Sequence, residues 1–556
     1  MVKYIFKSKI YLILNSLFSF LGFGSLFLTF YSYSLITKVV QNNSMEDAYK
    51  VTVLIILTIL ALIVFSILST ITTRKILEVA IKSLRDDIFI SVYNSKISDY
   101  YKRGKSYFEA VILNDIDILE NMYFRSVIEI INDSIQIIIM ATAIALIGIE
   151  NFIIVALLCI PILIAPFILK KKLNRKGNDF SQKMKRFNNK AEETIDSFYL
   201  GKYFKSQKNI FNRYKIETSL VEDSRKSLNY YRAFNTSISI INVMILKVIS
   251  LYSFTDKSLN LLLDLSSVAL LFSLVNNIGN PLKNILTYIE SINSTKEIRK
   301  NILSLFSGEI EDKEDFELKD IDLEINNLSL RVSDKTILDN FTYIFNKGNK
   351  YMIVGESGCG KSSLFKVLLR YFEIYEGEIR LGYREIRDLK HEEIYKKVSY
   401  ISQEPYILSD NLRNNITLFT EGFSDEDVLV AIEKAGLKSF YDNLEKGLDT
   451  IIDRDNRTIS GGEMQRIGLA RGFLFDSSIY LFDEATSALD KETSLLVEKN
   501  ILALEDKIVI SIVHKINAVS ENYDYLLFMD KGKVKYSGPY KEIKNNNKEV
   551  KELLEA

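Results

Sequence analysis

Several residue types are scarce in this sequence, and each scarcity excludes a class of protein. The 556 residues include no tryptophan, two histidines, two cysteines and five prolines. So few histidines and cysteines exclude the clusters that a zinc site or a Cys/His peptidase needs. Because Cys159 and Cys359 lie far apart in sequence, no disulfide framework is expected either.

The chain also lacks an excess of charge of either sign. Its 71 Lys and Arg residues balance 71 Asp and Glu residues, so the net charge gives no basic surface of the kind that binds nucleic acid. We therefore expect no nucleic-acid partner. The length leaves room for several domains, and the two halves of the sequence differ sharply in composition.

Long apolar runs fill the first half of the sequence. Most of them are near the roughly 20 residues that cross a bilayer as a helix. They predict an all-α transmembrane domain at residues 1–293 with six spans, at about residues 10–36, 51–72, 127–149, 151–169, 235–256 and 265–288.

Basic residues predict the orientation of these spans. The N-terminus, the stretch after Arg74 and residues 170–176 are rich in Lys and Arg, whereas the alternate connections are short and poor in charge. Both termini should therefore be cytoplasmic in a multi-pass protein of the cell membrane. The inner connections, 73–126 and 170–234, keep helical periodicity, which predicts that the spans continue into the cytosol.

Polar residues inside the predicted spans need a reason, since charge at bilayer depth is costly. Asp133, Gln136 and Lys247 are the clearest cases. Lys247 is expected either to pair with Asp264, to extend to the membrane surface, or to line a substrate pathway. Asp133 has the same alternatives of structural and pathway roles. An acidic stretch at residues 294–318 then predicts an interdomain linker.

Residues 319–556 alternate short β-branched strands with helical patterns, which predicts an α/β domain. One apolar strand, 351–354, runs directly into a GxxxxGKS loop and a helix. Glycines let backbone N–H groups surround phosphates, the lysine reaches the β and γ phosphates, and the final serine ligates Mg²⁺. The predicted nucleotide-binding residues are Gly355, Glu356, Ser357, Gly358, Cys359, Gly360, Lys361, Ser362 and Ser363.

A second apolar strand, 479–482, delivers two adjacent carboxylates to the edge of the sheet. We expect Asp483 to hold Mg²⁺ and Glu484 to polarise the attacking water.

Further motifs resemble those of the ABC transporter family, in the expected order. Ser460, Gly461, Gly462 and Glu463, followed by Gln465 and Arg466, are similar to its LSGGQ signature. Gln403 resembles its Q-loop glutamine, residues 487–490 its D-loop, and His514 its switch histidine. The first half resembles its exporter-type membrane domain, with residues 114–117 and 193–196 near the expected coupling helices.

The resemblance implies roles for these residues. Gln403 is expected as a ligand of Mg²⁺ and, with Lys361, Glu484 and His514, as a catalytic residue; the signature residues are expected to bind nucleotide across a dimer. Three departures from the family pattern stand out. Val332 occupies the place of an adenine-stacking aromatic residue, residues 453–456 differ from the usual sequence before the signature, and Glu463 replaces glutamine.

The sequence therefore predicts a half-transporter: a six-helix transmembrane bundle followed by an α/β P-loop ABC ATPase domain. We expect it to dimerise with a second half-transporter, identical or different. Hydrolysis of ATP with Mg²⁺ would move a peptide, a lipid or a hydrophobic small molecule, most simply by export. Two alternatives remain open, namely an importer built on the exporter fold and an ATP-gated or regulatory half of a heterodimer.

Overall fold

The computed structural model describes residues 1–42, 45–255, 265–306, 322–453, 459–513 and 519–555. They belong to two compact units. The first comprises Met1–Tyr93 and Ser106–Gly308, and the second comprises Asn94–Lys105 and Glu309–Ala556.

Helices make up the described first half of the chain. In chain order they are α1 (Val2–Phe6), α2 (Lys9–Asn42), α3 (Met45–Tyr93), α4 (Ile97–Arg103), α5 (Lys105–Ala110), α6 (Ile116–Leu119), α7 (Arg125–Ile147), α8 (Ile149–Asp196), α9 (Phe198–Tyr203), α10 (Gln207–Thr255), α11 (Leu265–Ser294) and α12 (Lys296–Phe306). Two π-helical turns, Val111–Asp115 and Glu120–Phe124, flank α6.

Three of these helices are far longer than a membrane is thick. α3, α8 and α10 have 49, 48 and 49 residues, or about 70 Å each at 1.5 Å per residue. The apolar run in each helix continues into a charged stretch with helical periodicity, as the sequence predicts. α2 packs along α3, α7 along α11, and α8 along α10.

Four described helical segments are long and apolar enough to cross a membrane: Lys9–Ile36, Met45–Tyr93, Lys105–Ile147 and Gln207–Ile249. They carry four of the predicted spans. The other two predicted spans lie on α8 and α11, so the number six stays a prediction. Asp264 lies outside the described residues, and so does the proposed pairing of Lys247 with it.

The predicted linker, 294–318, contains a helix. Residues 296–306 form α12, in which Ile298, Ile302 and Leu305 recur at helical spacing and pack on the first unit. Glu297 lies in the first turn of this helix, whereas the other acidic residues of the predicted linker, at 309–317, lie outside the described part of the chain.

Strands of the second unit form two larger sheets and a two-stranded ribbon. They are β1 (Leu323–Val332), β2 (Lys335–Phe345), β3 (Lys350–Val354), β4 (Glu376–Leu381), β5 (Arg384–Glu385), β6 (Val398–Ile401), β7 (Asp410–Asn411), β8 (Ile451–Ile452), β9 (Ile479–Asp483), β10 (Ile508–Ile512), β11 (Tyr525–Asp530) and β12 (Lys533–Pro539).

The central sheet has the order β12-β11-β3-β10-β9-β6, and β11, β3, β10, β9 and β6 are mutually parallel neighbours. β3, β9 and β10 are almost wholly buried, as expected of parallel strands covered on both faces. Because parallel strands end at the same edge, the residues that follow β3, β6 and β9 come together there. An antiparallel sheet of order β2-β1-β4-β5 packs into the same hydrophobic core.

Nine more helices are described in this unit: α13 (Lys361–Leu368), α14 (His391–Tyr395), α15 (Leu412–Thr417), α16 (Asp425–Lys434), α17 (Lys438–Asp442), α18 (Gly461–Leu474), α19 (Lys491–Leu502), α20 (Tyr540–Asn546) and α21 (Lys548–Glu555).

A short piece of the first half of the chain belongs to this second unit. The ring of Tyr101, on α4, meets Tyr371 edge-on at 5.3 Å and Phe372 at 5.6 Å. The Lys366 ammonium lies 5.5 Å from the centre of the same ring. The division of the structure therefore does not follow the division of the sequence at residues 293 and 319.

Candidate functional site

The glycine-rich loop joins β3 to α13 at the edge of the central sheet. Gly360 has a left-handed φ of +111°, and a Cβ there would lie 2.9 Å from the Ile337 carbonyl oxygen, so only glycine fits without strain. Lys361 is buried, and its ammonium donates to the carbonyl oxygens of Gly355 at 2.6 Å and Glu356 at 3.0 Å. Backbone and lysine thus form a compact cradle at the N-terminus of α13, which suits phosphate groups.

Ser362 and Asp483 meet beside this loop. The Ser362 hydroxyl donates to Oδ1 of Asp483 at 3.0 Å, and the Tyr400 hydroxyl donates to Oδ2 at 3.1 Å. Burial, followed by the charge of Asp483, raises the pKa of Tyr400, so its hydroxyl stays a donor.

The Asp483 side chain is 5% exposed, and no described Lys, Arg or His nitrogen lies within 4.0 Å of it. A buried carboxylate next to a serine hydroxyl, without a paired cation among the described residues, fits a hard divalent ion such as Mg²⁺.

Glu484 follows with an unusual backbone. Its φ of 53° places it in the left-handed region, which non-glycine residues enter at some cost and which is frequent at functional sites. Its Oε2 accepts a hydrogen bond of 2.8 Å from the Gln403 amide, and its backbone N–H donates to Ile512. The structure thus brings Gln403 to Glu484 directly.

The signature segment begins α18. Ser460 is its N-cap, and Glu463 completes a capping box: the Ser460 N–H donates to Glu463 Oε2 at 2.6 Å, and the Glu463 N–H donates to Ser460 Oγ at 3.3 Å. The glutamate in place of glutamine therefore supplies a negative charge at the positive end of this helix. Ser460 and Gly461 are exposed, so this N-terminus is open to a ligand.

Gln465, one turn further along α18, joins the signature helix to the carboxylate pair. Its side chain is 1% exposed; its amide donates to the Glu484 carbonyl at 2.9 Å, and its oxygen accepts from the Ala488 N–H at 3.0 Å. The D-loop and the residue after β9 are therefore tied to α18 by one side chain.

Two contributors were not among the predicted site residues. Tyr400 lies on β6, three residues before Gln403, and the pairing of β6 with β9 brings its hydroxyl to Asp483. Gln465 belongs to the segment that resembles the signature, but the sequence does not indicate which groups its side chain contacts. His514 lies outside the described residues. Val332 lies at the end of β1, and its side chain is 39% exposed.

Two family models match the chain. One, described as the ABC transporter transmembrane region, matches residues 12–282, and the other, described as ABC transporter, matches residues 338–487.

Several curated proteins are similar to it. One is a protein from Rickettsia typhi that is named an export ATP-binding/permease protein. It is 26% identical over 92% of this chain and 90% of its own length. A lactococcin transport/processing ATP-binding protein from Lactococcus lactis is 25% identical, and the match covers 72% of this chain but 57% of that protein. An ATP-dependent lipid A-core flippase from Pasteurella multocida is 28% identical over 40% of this chain and 38% of its own length.

The fold has a solved counterpart. A bacterial Atm1-family ABC exporter with ATP bound has a TM-score of 0.86, with 98% of both chains covered and 18% sequence identity. At that identity the likeness establishes the fold alone.

Proposed function

Because the chain belongs to the ABC transporter family, with its transmembrane region and ATP-binding domain fused in one polypeptide, we propose that it hydrolyses ATP to export a substrate across its membrane. The observation that carries the proposal is the meeting of two contacts at one edge of the central sheet. These are the Ser362–Asp483 contact and the Gln403–Glu484 contact.

Each residue has a chemical task in this proposal. Lys361 exchanges the loop carbonyls that now hold its ammonium for phosphate oxygens of ATP. Ser362 and Asp483 would hold Mg²⁺, which supplies positive charge against the phosphates when bound. Glu484 accepts a hydrogen bond from the attacking water, whose oxygen bonds to the γ-phosphorus as the bond to ADP breaks.

Gln403 keeps the Glu484 carboxylate in place through its amide, and the family resemblance also gives it a role as a ligand of Mg²⁺. His514 is proposed to contact the γ-phosphate. Both assignments rest on the resemblance and on position after a strand.

A dimer is part of the proposal, because one chain carries one phosphate loop and one signature. The exposed Ser460 and Gly461 at the start of α18 are free to approach a nucleotide held by a second chain. Closure of the ATP-bound dimer would switch the membrane pathway from inward to outward facing. In this proposal the ATP-binding halves and both termini lie on the cytoplasmic side of the cell membrane, as the basic residues next to the predicted spans indicate.

The variant Glu484→Gln tests the catalytic role. It keeps the shape of the side chain but removes the carboxylate, so ATP turnover should fall by about 100-fold or more while ATP-bound dimers accumulate. Phosphate release and size-exclusion chromatography with ATP measure the two effects. Glu505→Gln, an exposed residue away from the site, is the matched control. Undiminished turnover in Glu484→Gln would refute the assignment.

The direction of transport and the ability of the chain to act without a different partner need separate measurements. Inverted vesicles should accumulate substrate in an exporter, and right-side-out vesicles should accumulate it in an importer on the same fold. ATP hydrolysis by the purified chain alone supports a homodimer; hydrolysis that requires a second half-transporter indicates a heterodimer.

A further inference from the structure

A cavity of about 320 Å³ lies between α2, α3 and α7 in the first unit. Part of its wall is apolar, with the rings of Phe18 and Phe65 stacked at a centroid distance of 6.5 Å. The formal charges on the rest of the wall sum to zero, and they belong to Arg74, Arg125, Glu129 and Asp133.

The charged residues of the wall lie at two depths of the predicted membrane. Arg74 and Arg125 lie just beyond the inner ends of the predicted spans 51–72 and 127–149. Glu129 and Asp133 lie inside the span 127–149, at a depth similar to that of Phe18 and Phe65 in their own spans. The cavity therefore has its positive charges at the membrane boundary, and its negative charges and apolar wall at the depth of the lipid chains.

The charged groups on this wall do not neutralise one another. Among the described residues, no ion pair within 4.0 Å involves Arg125, Glu129 or Asp133, and Arg74 pairs with Glu120 outside the cavity, at 3.9 Å. Nε of Arg125 and Oδ2 of Asp133 are buried without a hydrogen-bond partner in the described part of the chain.

Neutral hydrogen-bond partners reach only some of these charged groups. Asn132 donates to Glu129 at 3.4 Å. Charge without a counter-charge at this depth is costly, so the wall is suited to a ligand that brings both signs.

Helix packing does not account for these charges. The three helices are already joined by neutral groups: Asn15 donates to Thr73 Oγ1 at 2.8 Å and to the Ser69 carbonyl at 2.9 Å. Ser19 donates to Asn132 at 3.0 Å. Because this network holds α2, α3 and α7 together without the charged residues, the charges are available for another purpose.

We propose that the cavity binds a single-chain zwitterionic lipid. The phosphate of the lipid faces Arg74 and Arg125, and its ammonium group faces Glu129 and Asp133. The part of its hydrocarbon chain next to the head group lies against the Phe18–Phe65 pair, since a cavity of about 320 Å³ is too small for the whole lipid. A purely anionic or cationic amphiphile would neutralise one pair of residues and leave the other without a counter-charge. The inference rests on the proposed export function, since it names the class of substrate.

The absence of tryptophan from the chain allows a direct binding test. In Phe18→Trp the cavity holds the sole tryptophan of the full-length protein. Lysophosphatidylethanolamine with a brominated acyl chain should quench its fluorescence saturably in nanodiscs without ATP. In Ile138→Trp, the control, the reporter sits on an exposed position of α7 outside the cavity wall, so quenching there should not saturate. Identical curves from both reporters would overturn the proposal.

Charge variants in the Phe18→Trp background test the recognition. Asp133→Asn and Arg125→Gln should each raise the dissociation constant for this lipid about tenfold, as expected for loss of a charged hydrogen-bonding partner. For brominated lysophosphatidylglycerol, which has no ammonium group, Asp133→Asn should not weaken binding. Glu129→Gln is the second acidic variant, in case Asp133→Asn fails to fold. Equal effects of an acidic variant on both lipids would refute the zwitterion assignment.

The result of these binding measurements does not depend on the export proposal. Binding is read without ATP, so absence of saturable quenching leaves ATP hydrolysis and transport untouched. Conversely, Glu484→Gln should bind the lipid as tightly as the parent protein even though its turnover is lost.

Discussion

Tyr400 offers a sharp test of how the site holds its metal ligand. The variant Tyr400→Phe removes one oxygen and keeps the ring, which packs edge-on against Phe365 at 6.3 Å. Within the described residues, that hydroxyl is the donor to Oδ2 of Asp483, at 3.1 Å. A hydrogen bond to a charged group is worth about 1.5–3 kcal/mol, and the lower value corresponds to roughly a tenfold change in an equilibrium constant.

We therefore expect the half-saturating Mg²⁺ concentration for ATP hydrolysis to rise about tenfold, with the rate at saturating Mg²⁺ nearly unchanged. The assay is phosphate release at fixed ATP with increasing Mg²⁺, repeated with Mn²⁺ so that binding can also be followed by electron paramagnetic resonance. Tyr406→Phe, whose side chain is 67% exposed, is the matched control. If Tyr400→Phe shifts the Mg²⁺ dependence by less than twofold, the hydroxyl does not orient Asp483.

Two further predictions concern the same unit. Gln465→Ala should lower both the melting temperature and ATP turnover, because it deprives the Ala488 N–H of a buried acceptor, at a cost of about 1–3 kcal/mol. Gln465→Glu should be at least as destabilised, because it keeps that acceptor but buries a carboxylate oxygen against the Glu484 carbonyl. Glu373 tests pH dependence: burial raises the pKa of its carboxyl, but His391 and Arg370 outweigh burial and lower it to about 2. The ionised Glu373 carboxylate therefore stabilises the fold above pH about 4.5, and this contribution is lost as the pH falls towards 2. Glu373→Gln should lower the free energy of unfolding by about 2 kcal/mol at pH 7. It should also flatten the pH profile of thermal unfolding below pH about 4.5. An unchanged profile would contradict that ion pair.

Much of the architecture follows from the sequence. The family and the fold class predicted from the motifs and apolar runs are confirmed by the family models and by the fold of the solved exporter. Each catalytic motif follows directly on a strand, and parallel strands end at a common edge, so the meeting of Ser362 with Asp483 could be anticipated. The assigned roles of these residues stay predictions.

Other features depend on contacts between residues distant in sequence. Tyr400 reaches Asp483 because β6 pairs with β9, and Gln465 reaches Ala488 because α18 ends its first turn beside the D-loop. Neither the pairing of β6 with β9 nor the position of α18 can be predicted from composition or motif spacing. Of the charged residues that line the membrane cavity, the sequence singles out Asp133. Arg125 and Glu129 are recognised as part of the same wall only from the packing of the surrounding helices.

The position of Tyr101 determines where this chain can be cut to build a hybrid with another transporter. Its ring covers Tyr371 and Phe372, so a polypeptide that begins after residue 308 leaves these two rings in water. A hybrid that joins the ATP-binding half of this chain to the membrane half of another transporter would therefore need to carry residues 94–105 with it. Because the second unit includes a dozen residues encoded more than 200 positions upstream, one cut in the sequence does not yield the complete unit.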